Sequence, residues 1–328
     1  MSEIQKQPHI PALDGWRGLA VLLVLMGHFG GDSYLPDLGS AGVDLFFVLS
    51  GRLMAEILFV RKIPIRLFFF RRFSRVYPAL LTFVLVSAAL LSQTRLAPGV
   101  TGVLSSLTFT LNYVIIESGT FVPVFDHVWS LCVEEHSYVL LAIVALLLRR
   151  AAIRLIGLTI LALGLAALAN GIMQYDIYGR NPFVVFWPTD VAAAPILISA
   201  AVFLLLGERL NRPEIRWIVP LALFSGLVAR LFGDAAWLFF GAKTLLLAIA
   251  VCGSGTPPAF LERCSKAPSS GKSAECPSRS IYMATAIPYR GIARPASAAC
   301  RAGFGNLLRD RQLLSDRAAS SRAIKCVD

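Results

Sequence analysis

Charge is scarce in this chain: only 16% of its 328 residues are Asp, Glu, Lys or Arg, against 56% hydrophobic residues. A mean hydropathy of +0.67 leaves too little polar surface for an ordinary soluble domain. Cysteine is also sparse. Four of the six (Cys264, Cys276, Cys300 and Cys326) fall in the last quarter at spacings that match neither a zinc site nor a CxxC pair. Neither a metal site nor a disulfide framework is therefore expected. No short apolar run ends in a small-residue cleavage site, so no cleaved signal peptide is expected. No internal repeat is visible, although inverted repeats too weak to see by eye stay open. Acidic residues are outnumbered 20 to 31, giving a net charge of +11. The excess is uneven, with twelve Lys/Arg against five Asp/Glu from Glu262 onward. In so apolar a chain a basic excess points to cytoplasmic loops and lipid headgroups, and no nucleic-acid partner is expected.

What is present is a series of apolar runs from residue 11 to about 252, separated by short charged or Pro/Gly-containing gaps. They predict an all-α, polytopic integral membrane bundle of about eight spans: 12–30, 41–60, 79–92, 128–148, 155–170, 191–207, 218–232 and 236–252. The Ser/Thr-rich run 103–116 is expected to be re-entrant or interfacial. Were it to cross, Arg149, Arg150 and Arg154 would lie outside, against the positive-inside rule. The densest basic cluster of the membrane region, residues 61–78, then lies in the cytoplasm, as does the N-terminus.

Three polar constellations interrupt these runs. In the first span, Arg17 and His28 have ten residues between them, about 16 Å of helix. An ionisable group that deep in lipid is expensive and is a functional candidate. In RRFSRVYP (71–78), Arg72 and Arg75 share a helix face, and their planar forks suit phosphate. Plain cytoplasmic anchoring is the simpler explanation of such a cluster, but six basic residues in fifteen positions exceed what topology needs. In HVWSLCVEEHSYVLL (127–141), Glu134 and Tyr138 stack four residues apart, whereas Glu135 and His136 are expected to point elsewhere. Together these groups supply a general base (His28), a carboxylate to orient it (Glu134) and a phosphate clamp (Arg72, Arg75). That set suggests group transfer from a phosphorylated carrier, without naming the group.

At these residues the chain resembles the membrane acyltransferase type 3 family, whose members O-acylate surface polysaccharides, lipopolysaccharide, peptidoglycan, Nod factors and some antibiotics. The resemblance rests on LDGWRGLAVLLVLMGH (13–28), GVDLFFVLSGRLM (42–54), RRFSRVYP (71–78) and HVWSLCVEEHSY (127–138), in the family's order. It implies catalytic roles for His28, Arg17 and Glu134, and binding of the donor's phosphates by Arg72 and Arg75. It further implies acetyl-CoA or another acyl-CoA as donor substrate, with no permanently bound cofactor. The acceptor would be a saccharide or glycolipid hydroxyl, and the location a bacterial inner membrane. Arg52 departs from the family pattern, which has an aromatic or apolar residue after the Ser-Gly. It is expected either to alter the pore lining or to add an interfacial charge.

Residues 1–255 are read as the membrane acyltransferase domain, C-terminally incomplete because family members carry about ten spans. Residues 256–328 are read as a basic, low-periodicity tail. A frameshifted ending and a disordered tail resting on the inner leaflet both stay open. Two rival functions also stand: a proton-coupled transporter built on the buried His and Glu, and an inactive truncated relative.

Overall fold

The structure, a computed structural model, describes residues 11–29, 38–122, 124–210, 212, 217–232 and 241–254. Among these residues all regular structure is helical, in twelve α-helices. The first two, α1 (Pro11–His28) and α2 (Leu38–Ala55), pack against each other, and α2 runs on through a π-helical turn, Glu56–Val60. The longest helix is α3 (Ile65–Leu91), followed by the short pair α4 (Gly99–Leu107) and α5 (Leu111–Ser118). Long helices return with α6 (Val128–Leu147) and α7 (Ile153–Ile172), the latter extended by a π turn, Met173–Ile177. Two short pieces, α8 (Pro182–Phe186) and α9 (Thr189–Ala192), lead into α10 (Ala194–Leu210). The described chain ends with α11 (Ile218–Phe232) and α12 (Lys243–Gly253).

Among the described residues, four stretches are long and apolar enough to cross a membrane: Ile65–Leu91, Val128–Leu147, Ile153–Ile177 and Thr189–Leu210. The sequence 103–116 falls on α4 and α5. At about 1.5 Å per residue these reach roughly 13 Å each, well short of a ~30 Å hydrocarbon core. Helix α3 is longer than the expected span 79–92, because the basic segment before that span is helical too. Its 27 residues extend roughly 40 Å, about 10 Å more than the core, so the first two turns, with Arg66 and Arg71, can project beyond it, whereas Arg72 sits level with Glu134 of α6. The expected eighth span is shorter as described: its helix starts at Lys243, and residues 233–240 lie outside the described set. The tail, 256–328, also lies outside it.

Helix α10 is the hub of the bundle, packing on α2, α7 and α12, whereas α3 lies at the periphery. Apolar burial drives little association between helices in lipid, so close backbone approach has to supply the contact. Two glycines of α2 provide it. A Cβ at Gly42 would lie 2.7 Å from the Ala20 carbonyl oxygen of α1, and one at Gly51 only 2.0 Å from the Ile196 oxygen of α10. Beside that second contact, Ser199 of α10 donates to the Val48 carbonyl at 2.6 Å. Charges buried in the bundle are matched as well. Lys243 of α12 meets Asp44 of α2 at 2.5 Å. Arg52 is neither an interfacial charge nor in contact with water. It is 1% exposed and its guanidinium lies over the Phe203 ring of α10, 5.3 Å from the centroid. At the ends of the described chain, Trp16 Nε1 donates to Ser254 Oγ at 2.6 Å.

Candidate active site

Helices α2, α3 and α6 meet where their polar residues face one another. The close approach at Gly51 seats α2 deep in the bundle, and its neighbour Ser50 donates to Glu134 Oε1 of α6 at 2.6 Å. The other oxygen of Glu134 accepts from Arg72 Nη2 at 3.0 Å. Arg72 Nε meanwhile donates to Glu135 Oε1 at 2.7 Å. The arginine fork thus spans two consecutive carboxylates, and its carbon lies 3.8 Å from the centroid of the Tyr138 ring. Tyr138 is buried beside Ser50. Glu135, expected to point away, belongs to this group because the guanidinium is wide enough to reach both carboxylates.

His28 ends α1, exposed, with Nδ1 2.8 Å from the Val24 carbonyl oxygen. A carbonyl only accepts, so Nδ1 carries the proton and the neutral ring presents the Nε2 lone pair outward. His28 lies within electrostatic range of His127, which just precedes α6. Desolvation, and after it the neighbouring His28, push the His127 imidazole below its ordinary pKa. Beside His127 is a groove of about 400 Å³ between α3 and α6, lined by Val76, Leu80, Phe83, Val128 and Leu131 among others. Arg17, one helix face away from the buried Trp16 and Ala20, forms an ion pair with Asp14 at 3.1 Å. Arg75 is exposed and forms no ion pair among the described residues.

The five residues singled out from the sequence therefore divide. Glu134 and Arg72 are joined directly. His28 and Arg17 lie on α1, and the described partners of Glu134 are Ser50 and Arg72 rather than His28. From His127 to Glu134 is two turns of α6, about 10 Å. Three residues of the site were not singled out: Ser50, Glu135 as a partner of Arg72, and His127 as the neighbour of His28. Ser50 carried a signal, as a hydroxyl beside a glycine in the apolar run 42–54.

A family profile described as an acyltransferase domain, of acyltransferase type 3, matches residues 10–256. The chain belongs to this acyltransferase family. The matched stretch includes every residue of the site. Over 221 residues the chain is 31% identical to YrhL of Bacillus subtilis (strain 168), named as a candidate peptidoglycan O-acetyltransferase; this covers 61% of the chain and 34% of YrhL. It is 30% identical over 206 residues to the O-acetyltransferase OatA of Staphylococcus aureus (strain NCTC 8325 / PS 47), covering 58% and 34%. A candidate O-acetyltransferase of S. aureus (strain COL) is 26% identical over 215 residues, covering 60% and 35%. The chain spans about a third of the length of these curated relatives. No solved structure matches it.

A second polar group braces the back of α6. Asn112 of α5 donates to the Trp187 carbonyl and to Thr189 Oγ1. Thr189 in turn meets His136 Nδ1 at 2.8 Å. His136 also sits beside the backbone of Phe109, in the turn between α4 and α5. Phe109 holds φ at +57°, a left-handed conformation that costs a bulky residue on the order of 1–3 kcal/mol. The parallel rings of Trp129 and Trp187, with centroids 5.0 Å apart, pack the same wall. These contacts fix the rotation of α6, and with it the direction of both glutamates.

Proposed function

We propose that this acyltransferase moves an acetyl or other short acyl group from acyl-CoA to a saccharide hydroxyl in or on the bacterial inner membrane. The observation that carries the reading is His28 Nδ1 bonded to the Val24 carbonyl at the end of an exposed helix face, inside a matched acyltransferase domain. The bond orients the imidazole as a base through Nε2. The acceptor hydroxyl attacks the thioester carbonyl as its proton passes to Nε2. The new C–O bond forms, the C–S bond breaks, and the proton then passes from the imidazole to the departing CoA sulfur. Arg17, paired with Asp14, supports the start of the same helix. Glu134, held by Ser50 and Arg72, supports the site from two turns further along α6. For the CoA phosphates the exposed Arg75 is the better placed cation, since Arg72 is engaged by two carboxylates. Membrane lipid surrounds the helices, and the Arg-rich start of α3 faces the cytoplasm with the N-terminus. The names of YrhL and OatA support an O-acetyl product, and that of YrhL a peptidoglycan-type acceptor.

The test supplies labelled acetyl-CoA to the cytoplasmic side of membranes carrying the 328-residue chain. Label is expected in a glycan or glycolipid fraction, and His28→Ala is expected to abolish it. Solute movement without CoA consumption would overturn the reading in favour of a transporter.

A further inference from the structure

Arg72, Glu134 and Glu135 do not balance. One guanidinium faces two carboxylates, leaving a net charge of −1 among three side chains that are each only 16–19% exposed. The four carboxylate oxygens are also unequally engaged. Glu134 Oε1 accepts from Ser50 and Oε2 from Arg72, while Glu135 Oε1 accepts from Arg72 Nε. Glu135 Oε2 accepts from no described residue, and it is not among the buried polar atoms that lack a partner, so it is open to a ligand.

We propose that Glu135 binds the acceptor, its Oε2 taking a hydrogen bond from a saccharide hydroxyl, with Ser50 and Arg72 fixing the pair of glutamates around it. This rests on the acyltransferase reading and adds the residue that selects the acceptor. A saccharide hydroxyl is a neutral donor that a free carboxylate oxygen binds well. The free oxygen sits on α6 eight residues beyond His127, about 12 Å along the axis. The hydroxyl bound there is therefore not the one that His28 deprotonates, and the site takes an oligosaccharide rather than a single sugar. The arrangement is also robust to its own test. Glutamine at 135 keeps an oxygen for Arg72 Nε and leaves a balanced Arg72–Glu134 pair, so the fold is retained.

The experiment compares the full chain with Glu135→Gln and Glu135→Asp, purified in detergent. The probe is a fluorescent tetramer of N-acetylglucosamine, with binding measured directly and transfer from acetyl-CoA measured alongside. Loss of a charge-assisted hydrogen bond is expected to weaken tetramer binding about 10- to 100-fold in Glu135→Gln. KM for the tetramer rises in step, while KM for acetyl-CoA stays within twofold. Glu135→Asp recovers part of the affinity, which a purely structural role would not produce. Equal affinity of wild type and Glu135→Gln, a parallel rise of both KM values, or no wild-type affinity for the tetramer overturns the proposal. Tetramer binding that depends on Glu135 without any acetyl transfer would keep this inference and sink the acyltransferase reading instead.

Discussion

Arg72 of α3 and Glu134 of α6 are joined across their helix interface at 3.0 Å, with the guanidinium carbon over the Tyr138 ring one turn further along α6. An arginine held this way has little freedom to follow a mobile phosphate. It serves to lock the register of α3 against α6, and with it the direction of both carboxylates.

Arg72→Lys is expected to lose most transfer activity although charge is kept. An ammonium cannot span two carboxylates or stack on Tyr138 as the planar fork does. Arg72→Ala is more severe: two partly buried carboxylates lose their cation, at about 2–4 kcal/mol. Thermal unfolding in detergent should rank wild type above the lysine variant and the lysine variant above alanine. A silent Arg72→Ala would contradict the assignment.

Gly51→Ala is expected to destabilise the bundle by roughly 1–3 kcal/mol, because the new methyl meets the Ile196 backbone 2.0 Å away. Gly15, with nothing within 4 Å of an added Cβ, is the control, and Gly15→Ala should unfold at the wild-type temperature or slightly above. Paired melting curves of the two variants check this.

Acid should weaken the fold in part through His127. Its folded-state pKa lies below the unfolded value, so the unfolded chain binds the proton more readily. The contribution to stability is present above the unfolded pKa, near 6.5, and is lost as pH falls through the lower folded value. His127→Gln should flatten the decline in melting temperature between pH 7 and 5. An unchanged slope would remove His127 from the account.

Much of this was legible in the sequence, and the failures have physical causes. The helices α1, α6, α7 and α11 follow from apolar runs, and their ends agree within a few residues. The start of α3 at Ile65 did not, because a positive cluster reads as a boundary although its backbone continues the helix. Pairings were out of reach. Lys243 reads as a cost inside a span until Asp44, 199 residues earlier, is seen opposite it. Ser50 and Glu134, 84 residues apart, share no sequence signal of contact. Glu135 was assigned to another face from helix periodicity alone, which ignores the reach of a long, forked arginine.

Asn112→Ala is expected to loosen α6 without touching the carboxylates. Thr189 loses its donor and is then free to reorient away from His136. Hydrogen exchange should speed up at the α4–α5 turn and along the first half of α6, with transfer activity falling by about tenfold. Unaltered exchange there would show that the brace does not position α6.

The bond from Trp16 to Ser254 carries one more consequence. It brings the entry and exit of the matched domain to the same level in the bilayer, so the chain between them crosses an even number of times. Whatever a longer relative appends after the corresponding position starts on the leaflet where its own N-terminus begins. Reporter tags placed before Trp16 and after Ser254 should accordingly respond alike to a probe that cannot cross the membrane.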